Sequence, residues 1–180
     1  MILLPKKLLS RHLLWPQWIA VALILLSIST AAVSLEKLSV DPALLSLLKQ
    51  AAAEADSFDD QYDAQVWLVE KEPALARLVK DPAQRISLLR LIHSEATRAG
   101  LSPEIVLALI EVESHFDGYA VSSAGAQGMM QIMPFWKHEI GRPEDNLINI
   151  QTNLRYGCTI LKYYLDREQG KLADALARYN

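Results

Sequence analysis

Cysteine is nearly absent from this chain. Cys158 is the only one in 180 residues, so no intrachain disulfide is available and the fold rests on its apolar core. Cys158 sits in a helix-like run, 153–165, without a local histidine, and reads as a small buried hydrophobe rather than a nucleophile. Glycine is sparse at seven, and no Asn-Gly or Asp-Gly turn lies between alternating residues; Asp117-Gly118 lacks that alternation. Strand signals therefore do not recur, and the expected class is all-α. No second histidine follows His138-Glu139 at zinc-site spacing, and the four histidines are scattered, which excludes the usual helical metal motif. Phosphate-loop and dinucleotide-binding signatures are also missing, so no metal and no cofactor is expected. Ser114-His115 are chain neighbours, a poor arrangement for a nucleophile and its base, and read as surface residues.

Charge is unevenly spread. The first 34 residues hold Lys6, Lys7 and Arg11 but no acid, and the remainder holds 15 basic and 21 acidic residues, a formal charge of −6. An acidic body is a poor match for phosphate backbones and argues against nucleic-acid binding. The basic N-terminal end precedes an apolar run, 18–28, and then Ser29-Thr30-Ala31-Ala32-Val33-Ser34. That is the order of an export signal, with cleavage after Ala31 or Ser34. Residues 13–35 carry no Lys, Arg, Asp or Glu and also have the length of an uncleaved anchor. Either way the body is expected outside the cytoplasm, with membrane contact only through this segment. No cysteine stands near the cleavage region, which excludes a lipoprotein anchor.

Helix signals dominate what is present. Asp41-Pro42, Asp81-Pro82 and Ser102-Pro103 each set a capping residue before a proline at the first helical position. Apolar-periodic runs follow at 43–55, 83–99 and 104–116, and further helices are expected over 151–168 and from Leu172 to Tyr179. Gly100 ends the second run. Residues 117–128 break the pattern and read as a loop feeding a short helical segment that Pro134 interrupts. The expected organisation is an export segment at 1–34, a helical lead-in at 35–83 and a main domain at 84–180.

One acid stands apart. On a helix over 104–116, Val106, Leu109, Ile110 and Glu113 share a stripe, and Glu111 lies about 200° away from Glu113. A carboxyl ending an apolar stripe loses solvation, which raises its pKa and lets it donate a proton near neutral pH. The alternative is a structural ion pair. No Lys or Arg occurs between Gly100 and Trp136, leaving His115 as the only nearby cation. The loop that follows offers close backbone approach at Gly125 and Gly128, neutral hydrogen-bonding groups at Ser122, Ser123 and Gln131, and flat apolar rings at Tyr119, Phe135 and Trp136. Such a set suits an uncharged polar ligand such as a sugar.

Glu113-Ser114-His115-Phe116, followed by the run from Ala120 to Pro134 (AVSSAGAQGMMQIMP), resembles the catalytic domain of family 1 lytic transglycosylases. Asn153, Gly157 and Ala177-Arg178-Tyr179-Asn180 extend the likeness, which spans about residues 84–180. Met129 stands where that family usually has leucine, a volume-tolerant exchange. The resemblance implies a helical, goose-type lysozyme-like fold with a groove for alternating N-acetylglucosamine and N-acetylmuramic acid of peptidoglycan glycan strands, in a periplasmic protein. It implies Glu113 as the single catalytic acid and base. Ser122 or Ser123, Gln131 and Met133 would line the groove, and the Tyr179 hydroxyl would approach the catalytic carboxyl. The implied reaction cleaves the β-1,4 bond after N-acetylmuramic acid and leaves a 1,6-anhydro end. Family chains continue past the position of Asn180, so the C-terminal end of the domain is expected to be incomplete. Two alternatives stay open: a hydrolase using Glu111, Asp117 or Glu139 as second carboxylate, and an inactive glycan-binding module.

Overall fold

Two helices begin where an aspartate cap meets a proline, at Asp41-Pro42 and Asp81-Pro82. The computed structural model describes residues 41–53, 56–58 and 60–180; the export segment read from the sequence lies outside them. Among the described residues the elements are α1 (Pro42–Ala53), α2 (Gln61–Leu75), α3 (Pro82–Ala99), α4 (Pro103–Ser114), α5 (Trp136–Ile140), α6 (Ile150–Arg167) and α7 (Leu172–Tyr179), with isolated β-bridges but no strand. The all-α class expected from the sequence is therefore the one observed. None of these helices is long and apolar enough to cross a membrane.

Asp41 and Asp81 accept from the amides of Ala43 and Ala83, as their place before proline predicts. Ser102 departs from that expectation. Its hydroxyl donates to Glu104 Oε2 at 2.7 Å and makes no cap bond, because the acid two residues on is the stronger acceptor. Gly100 adopts φ 68°, and the Gly100 and Leu101 amides close back on Thr97 and Ala96, stopping α3. α4 ends two residues earlier than its sequence pattern: His115 and Phe116 are both left-handed, at φ 52° and 63°.

The described residues form a compact unit organised around α3, which packs against α1, α2, α4 and α6, while α6 also packs on α7. Leu68, Leu89, Ile92, Ile110, Met130, Leu154 and Leu161 are fully buried between them. Cys158 is buried here too, as its helix-face position predicts. Two buried acids are neutralised within this core. Glu72 of α2 pairs with Arg85 of α3, which also donates to the Val79 and Lys80 carbonyls. Glu95 of α3 takes Arg98 and, from α6, Arg155, whose Nη2 lies 2.9 Å from Oε1. Each arrangement leaves no charge unpaired in the interior.

Candidate active site

The stripe on α4 ends at Glu113 as its spacing requires: Val106, Leu109 and Ile110 are buried, Glu113 is half-buried, and Glu111 is exposed on another face. Burial pushes the Glu113 carboxyl above its ordinary value. Its place in the last turn acts in the same direction, since the unpaired carbonyls of a helix C-terminus disfavour a nearby anion. Among the described residues, no ion pair involves it. The carboxyl lines a cavity of about 570 Å³, walled by Ile105, Ala108, Leu109 and Val112 of α4 and by Leu172 and Leu176 of α7.

A second carboxylate, Glu104, lines the same cavity, and sequence reasoning missed it. It is a different kind of group. The Trp67 indole donates to it at 2.9 Å and the Ser102 hydroxyl at 2.7 Å, and these bonds hold its pKa down to about 2. Glu104 and Glu113 stand nine positions apart, which sets their backbones about 13.5 Å apart along the helix axis at 1.5 Å per residue. Paired glycosidase carboxylates stand roughly 5–9.5 Å apart. Glu104 is thus a fixed anion that ties α2 to α4, whereas burial makes Glu113 hold its proton more tightly than an ordinary carboxyl.

Behind Glu113 the loop 117–135 is pinned to three helices. Gln127 bridges both Val121 and Ile132, and the Gln127 and Ile132 amides exchange 2.9 Å bonds with each other's carbonyls. The short helix expected before Pro134 is instead a turn within this bridged hairpin, with Gln131 left-handed at φ 50°. The Ser114 hydroxyl donates to Met129 O at 2.7 Å, and the Tyr179 hydroxyl to Met130 O at 2.9 Å. Asn153, with 0% exposure, holds the rest: Met130 N donates to its Oδ1 at 2.7 Å, and its Nδ2 donates to Gln127 O and Leu147 O at 2.8 Å each. Gly128 is required under that clamp. It sits at φ 74°, and a Cβ there would run into Asn153 Nδ2.

The remaining sequence-nominated residues sit on this loop. Ser122 Oγ accepts from Ala126 N at 3.0 Å, Ser123 is exposed, and Met133 is half-buried. Gln131 turns its amide nitrogen onto Gly128 O (2.9 Å) and Ala120 O (3.3 Å). None of these four, nor Tyr179, is among the residues lining the cavity beside Glu113. Tyr179 is nonetheless electrostatically coupled to it: burial, with the Glu113 charge adding, holds the phenol well above its ordinary pKa and so neutral. Ser114, read from sequence as a surface residue, is instead a part-buried tie between α4 and the loop. Asn153 carried a legible signal, because a polar residue on the apolar stripe of Leu154, Gly157, Cys158 and Leu161 needs buried partners. Among the described residues, no group of three or more His, Cys, Asp or Glu side chains is placed to hold a metal ion.

Residues 90–180 match the family model of the Transglycosylase SLT domain. The chain belongs to this family. The match takes in α4, the pinned loop, α6 and α7, so the whole neighbourhood of Glu113 lies inside the SLT domain. Among curated relatives, the membrane-bound lytic murein transglycosylase C of Histophilus somni (strain 2336) is 37% identical over 86 residues, which is 47% of this chain and 22% of that protein. The protein of the same name from Actinobacillus pleuropneumoniae serotype 5b (strain L20) is 48% identical over 46 residues, 26% of this chain and 13% of the relative. The matched stretches thus span less than a quarter of these relatives' length. An inactive mutant of the lytic transglycosylase Slt from Pseudomonas aeruginosa aligns with a TM-score of 0.47 at 24% identity, over 78% of this chain and 30% of that one.

Proposed function

We propose that this SLT domain cleaves the glycan strands of peptidoglycan as a lytic transglycosylase, with Glu113 as its single acid and base. The supporting observation is a half-buried carboxyl of raised pKa, without an ion pair among the described residues, lining a cavity of about 570 Å³ between α4 and α7. The protonated carboxyl of Glu113 gives its proton to the glycosidic oxygen as the bond from C1 of N-acetylmuramic acid breaks. The resulting carboxylate then takes the proton from the C6 hydroxyl of that sugar while O6 closes on C1. The products are a free 4-hydroxyl on N-acetylglucosamine and a 1,6-anhydro end, and no water is consumed. Neutral Tyr179, fixed on Met130 O, adds no competing charge beside the acid. Ser122, Ser123, Gln131 and Met133 are proposed to meet the sugars from the loop, whose shape the Gln131 and Asn153 amides maintain.

The carboxylate arrangement favours this route over hydrolysis. Glu111 is exposed on another face of α4, Asp117 is exposed and accepts from Tyr119 N, and Glu139 borders a different cavity. The relatives' names, together with the N-terminal sequence pattern, support a place in the cell envelope. Mass spectrometry of digested sacculi tests the proposal. Anhydro ends are expected, and hydrated reducing ends would replace it with a hydrolase. Glu113→Gln is expected to lower the cleavage rate by about 100-fold to 10,000-fold, the usual worth of a positioned acid–base group, while sacculus binding persists. Unchanged cleavage would remove Glu113 from the chemistry.

A further inference from the structure

Phe135 and Trp136, sequence candidates for a sugar platform, do not line the cavity beside Glu113. They stand with Tyr163 and Tyr164 of α6 around a separate cavity of about 540 Å³ that shares no lining residue with the first. The four rings form a continuous series: Phe135–Trp136 centroids lie 5.0 Å apart, Trp136–Tyr164 6.4 Å and Tyr163–Tyr164 5.3 Å. The outermost two are open to solvent, Phe135 at 52% and Tyr163 at 51% exposure. The Tyr163 ring is also oriented, since Arg167 Nη1 donates to its hydroxyl at 3.0 Å. Glu139 and Arg167 border the same cavity, one acceptor and one donor of opposite charge.

We propose that this aromatic trough is an accessory binding site for a β-1,4-linked amino-sugar strand, an inference that rests on the glycan-cleaving role assigned to the Glu113 site. Pyranose rings offer apolar C–H faces to flat aromatic surfaces and a periphery of hydroxyls and amides that needs donors and acceptors together. A ring series bordered by one acceptor and one donor matches that chemistry. The ligand is a polymer, so a second site on the same domain raises local concentration and keeps the strand attached between cleavage events.

The test uses the full chain carrying Glu113→Gln, so that the probe is not cut, and titrates it with the N-acetylglucosamine tetramer by NMR. The Trp136 indole and the amides of 159–167 are expected to shift. Tyr163→Ala, at an exposed ring, is expected to weaken that response about tenfold, equivalent to 1.4 kcal/mol. Tyr163→Phe, which keeps the ring, is expected to retain it. Shifts confined to the residues around Glu113, or a tetramer response indifferent to Tyr163→Ala, would overturn the proposal. Trp136 shifts that grow with protein concentration and not with sugar would overturn it too, indicating a second copy of the chain. Cleavage of sacculi by the unaltered protein is measured alongside. Intact cleavage with a silent trough refutes only this inference, and a responsive trough without cleavage refutes only the catalytic reading.

Discussion

Replacing Asn153 by alanine is the most direct test of how this fold holds its loop. The side chain makes three short hydrogen bonds at 0% exposure, and all three partners are backbone groups of residues 127, 130 and 147. Truncation leaves one N–H and two carbonyls without that partner in the interior. A buried unsatisfied group costs about 1–3 kcal/mol, and partial relaxation of the loop puts the sum at about 3–5 kcal/mol. Against a total stability of about 5–15 kcal/mol for a domain, this is a large fraction. At about 3 °C per kcal/mol it corresponds to a fall in Tm of roughly 10–15 °C. The measurement is thermal and urea unfolding followed by circular dichroism, with exposed Gln151→Ala on the same helix as the control, expected to stay within about 0.5 kcal/mol of the parent. Asn153→Asp separates the donors from the acceptor. It keeps an oxygen for Met130 N but sets a second oxygen against the Gln127 and Leu147 carbonyls, and is expected to destabilise at least as much as alanine. A loss below about 1 kcal/mol for Asn153→Ala would refute the claim that this side chain clamps the loop.

The raised pKa of Glu113 is expected to make stability, and under the proposed mechanism activity, depend on pH. Its folded-state pKa is raised, so the fold binds that proton more tightly than the unfolded chain does. The stabilising contribution is complete below the ordinary carboxyl value and is lost as pH rises through the raised one. Glu113→Gln is therefore expected to unfold at higher urea than the parent at pH 8, with the gap narrowing at pH 4; a gap that widens on acidification would contradict the assignment. In the same pH direction, kcat/KM on murein should fall as the acid deprotonates, which a pH–rate profile reads directly. Gly157→Ala drives a Cβ into the Met130 side chain and is expected to cost about 1–3 kcal/mol in urea unfolding, with an unchanged midpoint counting against tight packing there. The Cys158 thiol, pushed up to about 12 by burial, should resist a thiol reagent at neutral pH in the folded protein and react on unfolding; fast native labelling would show that the α6 face opens.

The sequence by itself determined what depends on neighbours within about one helical turn. Capping residues before prolines located the starts of α1, α3 and α4, Gly100 the end of α3, and the i, i+3, i+4, i+7 stripe the half-buried setting of Glu113. The spaced motif from Glu113 to Pro134 carried the family likeness without any structure. Tertiary structure decided which distant side chains meet. It brought Glu104 into the cavity of Glu113 and committed Ser114 and the amide of Gln131 to the loop backbone. It also carried Phe135 and Trp136 away from that cavity to Tyr163 and Tyr164. The reason is one of range. Helix periodicity and caps are local and leave a trace in adjacent residues, whereas the lining of a cavity follows from the packing of α4 near α7 and of α5 against α6, which local patterns do not encode.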